Sequence, residues 1–503
     1  MRAKIKDRVV YSPFPTMEIP CCSFYQAAKE ALLKDPDKPA LADGTALVTR
    51  RELLVHMQRY AAGFQKHGLG AGHRVCVHVE NGVDNFAAMW GCVFAGASVV
   101  LARASLTERE LCYQLRDSES THVLTEPALV AKTAQAAASL QIKEVLLYGS
   151  GGRDPRECVL AICYTSGTTG LPKGAVTTHH GFLANMATAG HCFTWDESDV
   201  VLYATPVMHG SGFFCVTIGV LLGATAVVTS LGPRLERVSD IITKYKVTAL
   251  AFLPFHLRSL AAEMQKTGNR LAGIRRICVG GGEFTEADRK AAQAAFGDVE
   301  SVANLYAMTE SMGIFCSPSN YVASGSDVGF PAPHSQIKVV DMVTRQKLGP
   351  YETGEICFRT PTVIKEYYKR PKETAEFFEE DGWCKSGDAG YYDEDGRLYV
   401  VQRLKEMIKC MDKVVVPAEL EELILQEHSE HVSEVAVVGL PDPKYGEAPA
   451  AAVVLKDVSG SEGEPARVAN KIKATIKDNL AVHKKLYGGV FVFNSLLKTQ
   501  TGK

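Results

Sequence analysis

From about residue 73 the chain alternates short β-branched runs with longer segments whose apolar residues recur every three to four positions. Residues 74–80 (RVCVHVE) predict a strand, 83–96 (VDNFAAMWGCVFAG) a helix and 97–102 (ASVVLA) a strand. The rhythm returns with strands at VVLYA, ATAVVTS, TALAFLP and RRICVGG. Between and after them lie the helical patterns LERVSDIITKYK, HLRSLAAEMQ and TEADRKAAQAAF. Such alternation implies βαβ units, parallel sheets and helices on both faces, with sites at the loops leaving the carboxyl ends of strands. The 212–231 stretch (GFFCVTIGVLLGATAVVTSL) is about long enough to span a bilayer, yet Gly223 divides it into a helical half and a β-branched half. That division predicts a buried helix followed by a buried strand.

Near residue 380 the pattern changes. EEDGWCKSGDAGYYDEDGR reads as turns between short strands. A smaller unit follows, with a helix from Pro417, strands at 435–438 and AAAVVL, and a helix over 466–480. The expected fold class is therefore α/β. It comprises a large N-terminal domain of parallel-rich sheets flanked by helices (1–401) and a small mobile α+β C-terminal domain (402–503).

Composition narrows the function. Lys plus Arg number 55 against 57 Asp plus Glu, so no global basic field marks a nucleic-acid binder. Fourteen cysteines with no C-x-x-C pair suit reduced thiols in an intracellular protein. The opening MRAKIKDRVVYSPFP is basic but lacks the apolar run of a secretory signal. A cytoplasmic location is the default expectation. The chain as given has no terminal Ser-Lys-Leu, though a continuation past Lys503 would leave a peroxisomal address open. His428 and His431, as two histidines without further ligands, read as solvated rather than metal-binding.

The strongest chemical signal is Tyr164-Thr165-Ser166-Gly167-Thr168-Thr169-Gly170-Leu171-Pro172-Lys173-Gly174. Small residues expose backbone N–H groups, hydroxyls add donors and Lys173 adds positive charge, which suits a polyphosphate. Pro172 rather than Gly precedes the lysine, so this is not a Walker A loop. Taken as composition alone, such a stretch reads more readily as a flexible linker than as a phosphate site.

The string resembles the phosphate-binding loop of the adenylate-forming superfamily, which includes acyl-CoA synthetases, 4-coumarate–CoA ligases, firefly-type luciferases and amino-acid adenylation domains. Further segments follow in that family's order over nearly the whole chain. Pro206-Val-Met-His209-Gly-Ser-Gly212 resembles the segment whose histidine lines the carboxylate pocket, with Phe213 beside it. Gly280, Gly281 and Gly282 match the stretch that meets adenine and walls the acyl pocket. In Asn304-Leu-Tyr306-Ala307-Met-Thr309-Glu310 the resemblance implies three roles: Tyr306 stacks on adenine, Thr309 reaches the α-phosphate and Glu310 gives Mg2+ a hard oxygen. Ala307 stands where the family has Gly, adding a methyl at the pocket floor. Trp383-Cys-Lys-Ser386-Gly-Asp388 implies Asp388 as the ribose carboxylate, with Arg403 reaching the same sugar.

Leu497-Lys-Thr-Gln-Thr-Gly-Lys503 resembles the C-terminal segment whose lysine enters the site during adenylation. Lys409 matches a position implicated in the second half-reaction. The resemblance thus implies ATP, Mg2+ and coenzyme A as partners of a small carboxylic acid. It also implies two half-reactions separated by rotation of the small domain about a hinge near Gln402. Gln402, Cys410 and Asp412 depart from the family's acid, aromatic and glycine on the face used in the second step. Four readings follow: an acid–thiol ligase for a fatty or aryl-propenoic acid, a luciferase-like monooxygenase, an amino-acid adenylation domain, or a nucleotide- or lipid-binding pseudoenzyme. PVMHGSG lacks the acid that would hold an α-amino group, which weighs against the third.

Overall fold

The computed structural model describes residues 1–138, 156–165, 171–229, 235–268, 270–282, 284–297, 299–317, 327–411, 413–456 and 464–496. Two compact units divide it. The first comprises 1–338, 357–385 and 392–399, and the second 339–356, 386–391 and the chain from Val400 onward.

The first unit contains a nine-stranded sheet whose centre is parallel. Ser301–Met308, Arg276–Gly280, Ala249–Phe252, Val200–Tyr203, Thr225–Val228 and Pro39–Ala42 lie side by side in that order. Gly313–Ser317 and Leu47–Thr49 add antiparallel strands at either end of this run. Burial explains the composition. Every residue of Thr225–Val228 is buried, as expected of a strand covered by helices on both faces.

A five-stranded sheet holds His122–Thr125, Arg74–Val79, Ser98–Arg103 and Val159–Thr165 in parallel, closed by antiparallel Lys173–Thr178. A short antiparallel group forms from Lys4–Lys6, Val9–Tyr11 and the start of Gln336–Val340. The division between units runs through the strands Gln336–Val340, Gly354–Arg359 and Cys384–Tyr392.

Helix starts follow local chemistry. Thr49 with Glu52, Thr107 with Glu110 and Thr285 with Asp288 each close a reciprocal cap, satisfying N–H groups that the first turn leaves open. The apolar 212–231 stretch resolves into the helix Gly210–Leu221 and the strand Thr225–Val228. Gly223 turns between them at φ +109°, a left-handed conformation that favours glycine. Among the described residues no helix is long and apolar enough to cross a membrane.

In the second unit, Val432–Asp442 and Gly446–Leu455 form a long antiparallel hairpin flanked by Ile408–Cys410, Lys413–Val415 and the parallel strand Gly489–Phe493. The helices Pro417–Glu427 and Glu464–Asn479 contribute Leu420, Ile424, Val468, Ile472 and Ile476 to its core, against Val437, Ala451 and Val453. The hairpin strands exceed the apolar runs that predict them. Their outer ends are unequal, with Leu440 exposed on one strand and Ala448 buried on the strand facing it, and Asp442 ends them by accepting the N–H groups of Lys444 and Tyr445. Likewise 384–392 is one nine-residue strand where the Gly and Asp pattern suggested turns. His428 also differs from expectation: it is buried, with Nε2 2.8 Å from Thr475 Oγ1.

Candidate active site

Thr165 and Lys173 face one another across the antiparallel pair Val159–Thr165 and Lys173–Thr178, so the glycine-rich loop is the connection of a hairpin. Ser166, Gly167, Thr168, Thr169 and Gly170 lie outside the described residues. The hairpin's base is braced: the Tyr164 hydroxyl donates to Asp117 at 2.7 Å, and the Tyr113 hydroxyl donates to the Pro172 carbonyl at 2.9 Å. Thr165 Oγ1 is buried with no hydrogen-bond partner among the described residues, an open valence beside the loop. The Lys173 ammonium stands 4.3 Å from the centroid of the Tyr367 ring and has no carboxylate within 4 Å among the described residues. Its charge is therefore held on an aromatic face and left available to an anion.

Three further predicted segments leave the carboxyl ends of parallel strands in the nine-stranded sheet. His209 follows Val200–Tyr203, Gly280–Gly282 ends Arg276–Gly280, and Thr309 and Glu310 follow Ser301–Met308. This is the end at which open parallel sheets bind ligands. A β-carbon on Gly210 would lie 3.9 Å from Thr309 Oγ1, which sets the His209 loop against the Thr309 turn.

His209 caps the helix Gly210–Leu221, its Nδ1 accepting from the Ser211 N–H at 3.3 Å and lying 2.7 Å from Ser211 Oγ. That acceptor role assigns the proton of the neutral ring to Nε2. Desolvation, aided by the Arg103 cation, pushes the imidazole pKa down to about 4, so the ring is neutral at pH 7. The residue keeps partial solvent access. Gly212 is sterically required, because a β-carbon there would fall 2.0 Å from the Pro206 carbonyl. The loop is tied to the other sheet by Asn81, whose Oδ1 accepts from Val207 N at 2.7 Å while its Nδ2 donates to Thr229 O at 2.8 Å. Phe213 is fully buried, stacked on Trp90 at 5.0 Å and edge-on to Phe182. Its surface is consumed by the aromatic core.

The three glycines differ in their reasons. A β-carbon on Gly280 would sit 2.9 Å from the Leu305 carbonyl, Gly281 adopts φ +80°, and Gly282 would make only ordinary contact with Pro254. Tyr306 is buried against Phe315 at 4.5 Å. Ala307 lies just past a register shift between Tyr306 and itself, the kind of bulge that re-aims side chains beside a site. Glu310 sits in the turn Thr309–Ser311; its Oε1 accepts from the Tyr367 hydroxyl at 2.6 Å, and its carbonyl accepts from Ile364 N at 2.9 Å.

The second unit carries the other predicted acid. Asp388 is buried and pairs with Arg403 at 3.0 Å (Nε to Oδ1), while the arginine remains 41% exposed. Ser386 Oγ donates to the Ile356 carbonyl and accepts from Asp388 N at 3.0 Å, fixing the turn; Gly387 between them is at φ +70°. Gln402 Oε1 accepts from Ala418 N at 3.3 Å, capping the helix Pro417–Glu427, for which Val416 offers no side-chain acceptor. Lys409 lies in the strand Ile408–Cys410 opposite Val414, with Cys410 fully buried. The Lys409 side chain, Asp412 and Lys503 lie outside the described residues.

These groups fit the implied partners to different degrees. No set of three metal-ligating side chains occurs among the described residues. A single carboxylate such as Glu310 nevertheless suits Mg2+, which takes one or two protein oxygens and completes its shell with phosphate and water. The sequence reading missed Tyr367, Arg103 and Asn81. Arg103 ends the strand Ser98–Arg103, next to the strand that leads into the phosphate loop. None of the three sits in a recognisable motif, and their partners are far away in sequence.

The pattern of AMP-binding enzymes matches residues 28–368 and that of the AMP-binding enzyme C-terminal domain matches 419–503. The chain is 28% identical to 4-coumarate–CoA ligase 1 of Petroselinum crispum, covering 99% of this chain and 95% of the relative. It is 27% identical to luciferin 4-monooxygenase of Photinus pyralis, covering 95% and 92%. Among solved structures, O-succinylbenzoate coenzyme A synthetase of Bacillus subtilis in complex with AMP superposes with a TM-score of 0.77 at 26% identity, covering 95% of this chain and 96% of that one. ATP-bound MatB from Rhodopseudomonas palustris shares the fold with a TM-score of 0.83 at 24% identity and the same coverage. The strand-end loops, the matched patterns and the full-length likenesses together place the chain in the adenylate-forming family of AMP-binding enzymes.

Proposed function

We propose that the chain is an acid–thiol ligase that converts a fatty or aryl-propenoic acid to its coenzyme A thioester. The acid's carboxylate oxygen attacks the α-phosphorus of ATP and pyrophosphate leaves. The thiol sulfur of coenzyme A then attacks the acyl carbon of the mixed anhydride and AMP leaves. The observation that carries the reading is the convergence of His209, Gly280–Gly282, Thr309 and Glu310 at the carboxyl ends of strands in one parallel run, with Gly210 against Thr309.

In this reading each residue has a definite task. Neutral His209 offers a dipole to the substrate carboxylate without forming a tight ion pair that would have to be broken before attack. Lys173 draws the phosphates toward the glycine-rich loop, while Thr309 donates to the α-phosphate. Glu310 would hold Mg2+, which when bound offsets phosphate charge. Tyr306 and Gly281 border the adenine, and Asp388 with Arg403 holds the ribose. Lys503 would neutralise charge at the reacting phosphate, and Lys409 would serve the thiol step.

The test is pyrophosphate release from MgATP across fatty acids and cinnamates, with and without coenzyme A. Acid-dependent release with AMP and acyl-CoA as products supports the ligase. Release limited to about one equivalent and indifferent to coenzyme A leaves adenylation alone. No release from any acid overturns the enzyme reading and leaves a binding protein. The 27% identity to a luciferin 4-monooxygenase keeps one second reading in view, and oxygen-dependent light from luciferin and MgATP would decide for it.

A further inference from the structure

We propose that Tyr367 is a positioning residue that sets the Glu310 carboxylate and the Lys173 ammonium at a fixed separation, so that one side chain aligns the metal-facing oxygen with the phosphate-facing cation. The proposal rests on the nucleotide-binding role given above to those two residues. Tyr367 is only 4% exposed and uses two different parts of its side chain. Its hydroxyl donates to Glu310 Oε1 at 2.6 Å, and its ring face carries the Lys173 ammonium 4.3 Å from the centroid.

The backbone holds this phenol between its two clients. Tyr367 bridges to Ala175, Tyr368 N donates to Gly174 O at 2.8 Å, and Val176 N donates to Glu366 O at 2.9 Å, so the segment is laced to the strand that begins at Lys173. Three residues earlier, Ile364 N donates to the Glu310 carbonyl at 2.9 Å. One short stretch therefore spans from the phosphate-loop exit to the acidic turn.

The chemistry of a phenol suits this task. As a neutral donor it orients one carboxylate oxygen and leaves the negative charge of Glu310 uncancelled, which an arginine or lysine in its place would not do. Its ring attracts an ammonium through the quadrupole, so Lys173 is seated without a carboxylate that would compete with phosphate. Glu310 and Lys173 carry opposite charge, and the phenol keeps both available by standing between them.

The test measures ATP affinity by titration calorimetry, with and without Mg2+, on the full chain. Tyr367→Phe removes the hydroxyl and keeps the ring. It should leave the affinity for metal-free ATP within about twofold and cut the gain that Mg2+ confers by about tenfold. Tyr367→Leu removes the ring as well and should additionally weaken metal-free ATP by about fivefold. In a Glu310→Gln background, Tyr367→Phe should change nothing further. A Tyr367→Phe chain that keeps the full Mg2+ gain overturns the proposal. So does one that fails to fold or loses all ATP binding, because either marks a merely structural tyrosine; Tyr367→Leu matching Tyr367→Phe in metal-free ATP affinity overturns the seating of Lys173. A wild-type chain that gains nothing from Mg2+ would instead overturn the underlying nucleotide reading, an outcome visible before any variant is made.

Discussion

The two carboxylates assigned to nucleotide chemistry sit in different units and are held in opposite ways. Glu310 is gripped by a neutral phenol at 2.6 Å, whereas buried Asp388 is paired with the Arg403 guanidinium at 3.0 Å. The first arrangement orients an acid while preserving its charge, as a metal ligand requires. The second neutralises the acid, which suits an acceptor for sugar hydroxyls that has to be tolerated away from water. In the roles proposed above, local partner choice, more than the carboxylate itself, would separate a cation site from a hydroxyl site.

Removing charge from each acid is the sharpest way to break that contrast. Glu310→Gln retains an acceptor for Tyr367 and loses the metal ligand, so acid-dependent pyrophosphate release should fall by about 10²- to 10³-fold at fixed Mg2+. Asp388→Asn should act less on turnover and more on binding, raising half-saturation for ATP about 10- to 100-fold, the range for hydrogen bonds to a charged group. Equal losses in turnover from both variants would sink the distinction.

The larger unit should also carry a marked acid sensitivity. Burial pushes His179, His209 and His256 down to about 4, while imidazoles of an unfolded chain titrate near 6.5. Between those values the unfolded chain binds more protons, so stability is fully present above 6.5 and is lost as pH falls toward 4. The loss is up to about 2 kcal/mol for each ring by pH 5. Denaturant unfolding followed from pH 7.5 to 5 should show it, and His256→Gln should flatten the slope; an unchanged slope in that variant would remove His256 from the account. The smallest expected effect concerns Ala307. Ala307→Gly restores a methyl's volume at the bulge after Tyr306 and should shift preference toward the bulkier of two acids by about tenfold. Competition between a cinnamate and its ring-methylated analogue reads this directly, and an unaltered ratio would place Ala307 away from the acid.

Much of the fold was legible because it is written locally. A buried parallel strand has to be a short apolar run, and reciprocal caps such as Thr49 with Glu52 use residues three apart. The loops bearing His209, Gly280 and Glu310 were legible through their resemblance to segments of the adenylate-forming family, since taken alone each reads as an ordinary turn or surface stretch. Tyr367 was hidden, since its partners are Glu310, 57 residues back, and Lys173, far earlier still. Nothing in IKEYYKRP distinguishes an aligning phenol from a core tyrosine. Phe213 misled for a related reason. The helix Gly210–Leu221 is apolar around most of its girth, so periodicity gave no direction, and Phe213 faces Trp90. The outer halves of the hairpin Val432–Asp442 with Gly446–Leu455 were missed because Gly439 with Pro441 on one strand and Gly446 with Pro449 on the other carry the punctuation of turns, yet the ladder runs through them.

Asn81 has a mechanical consequence. One amide group, with Val207 on its oxygen and Thr229 on its nitrogen, pins the loop after a strand of the five-stranded sheet to two loops of the nine-stranded one. The sheets consequently behave as a welded frame at the His209 loop rather than as two plates free to slide. In deuterated water the Val207 amide should then exchange slowly despite lying in a connecting loop, at the pace of the frame and not of the surface around it.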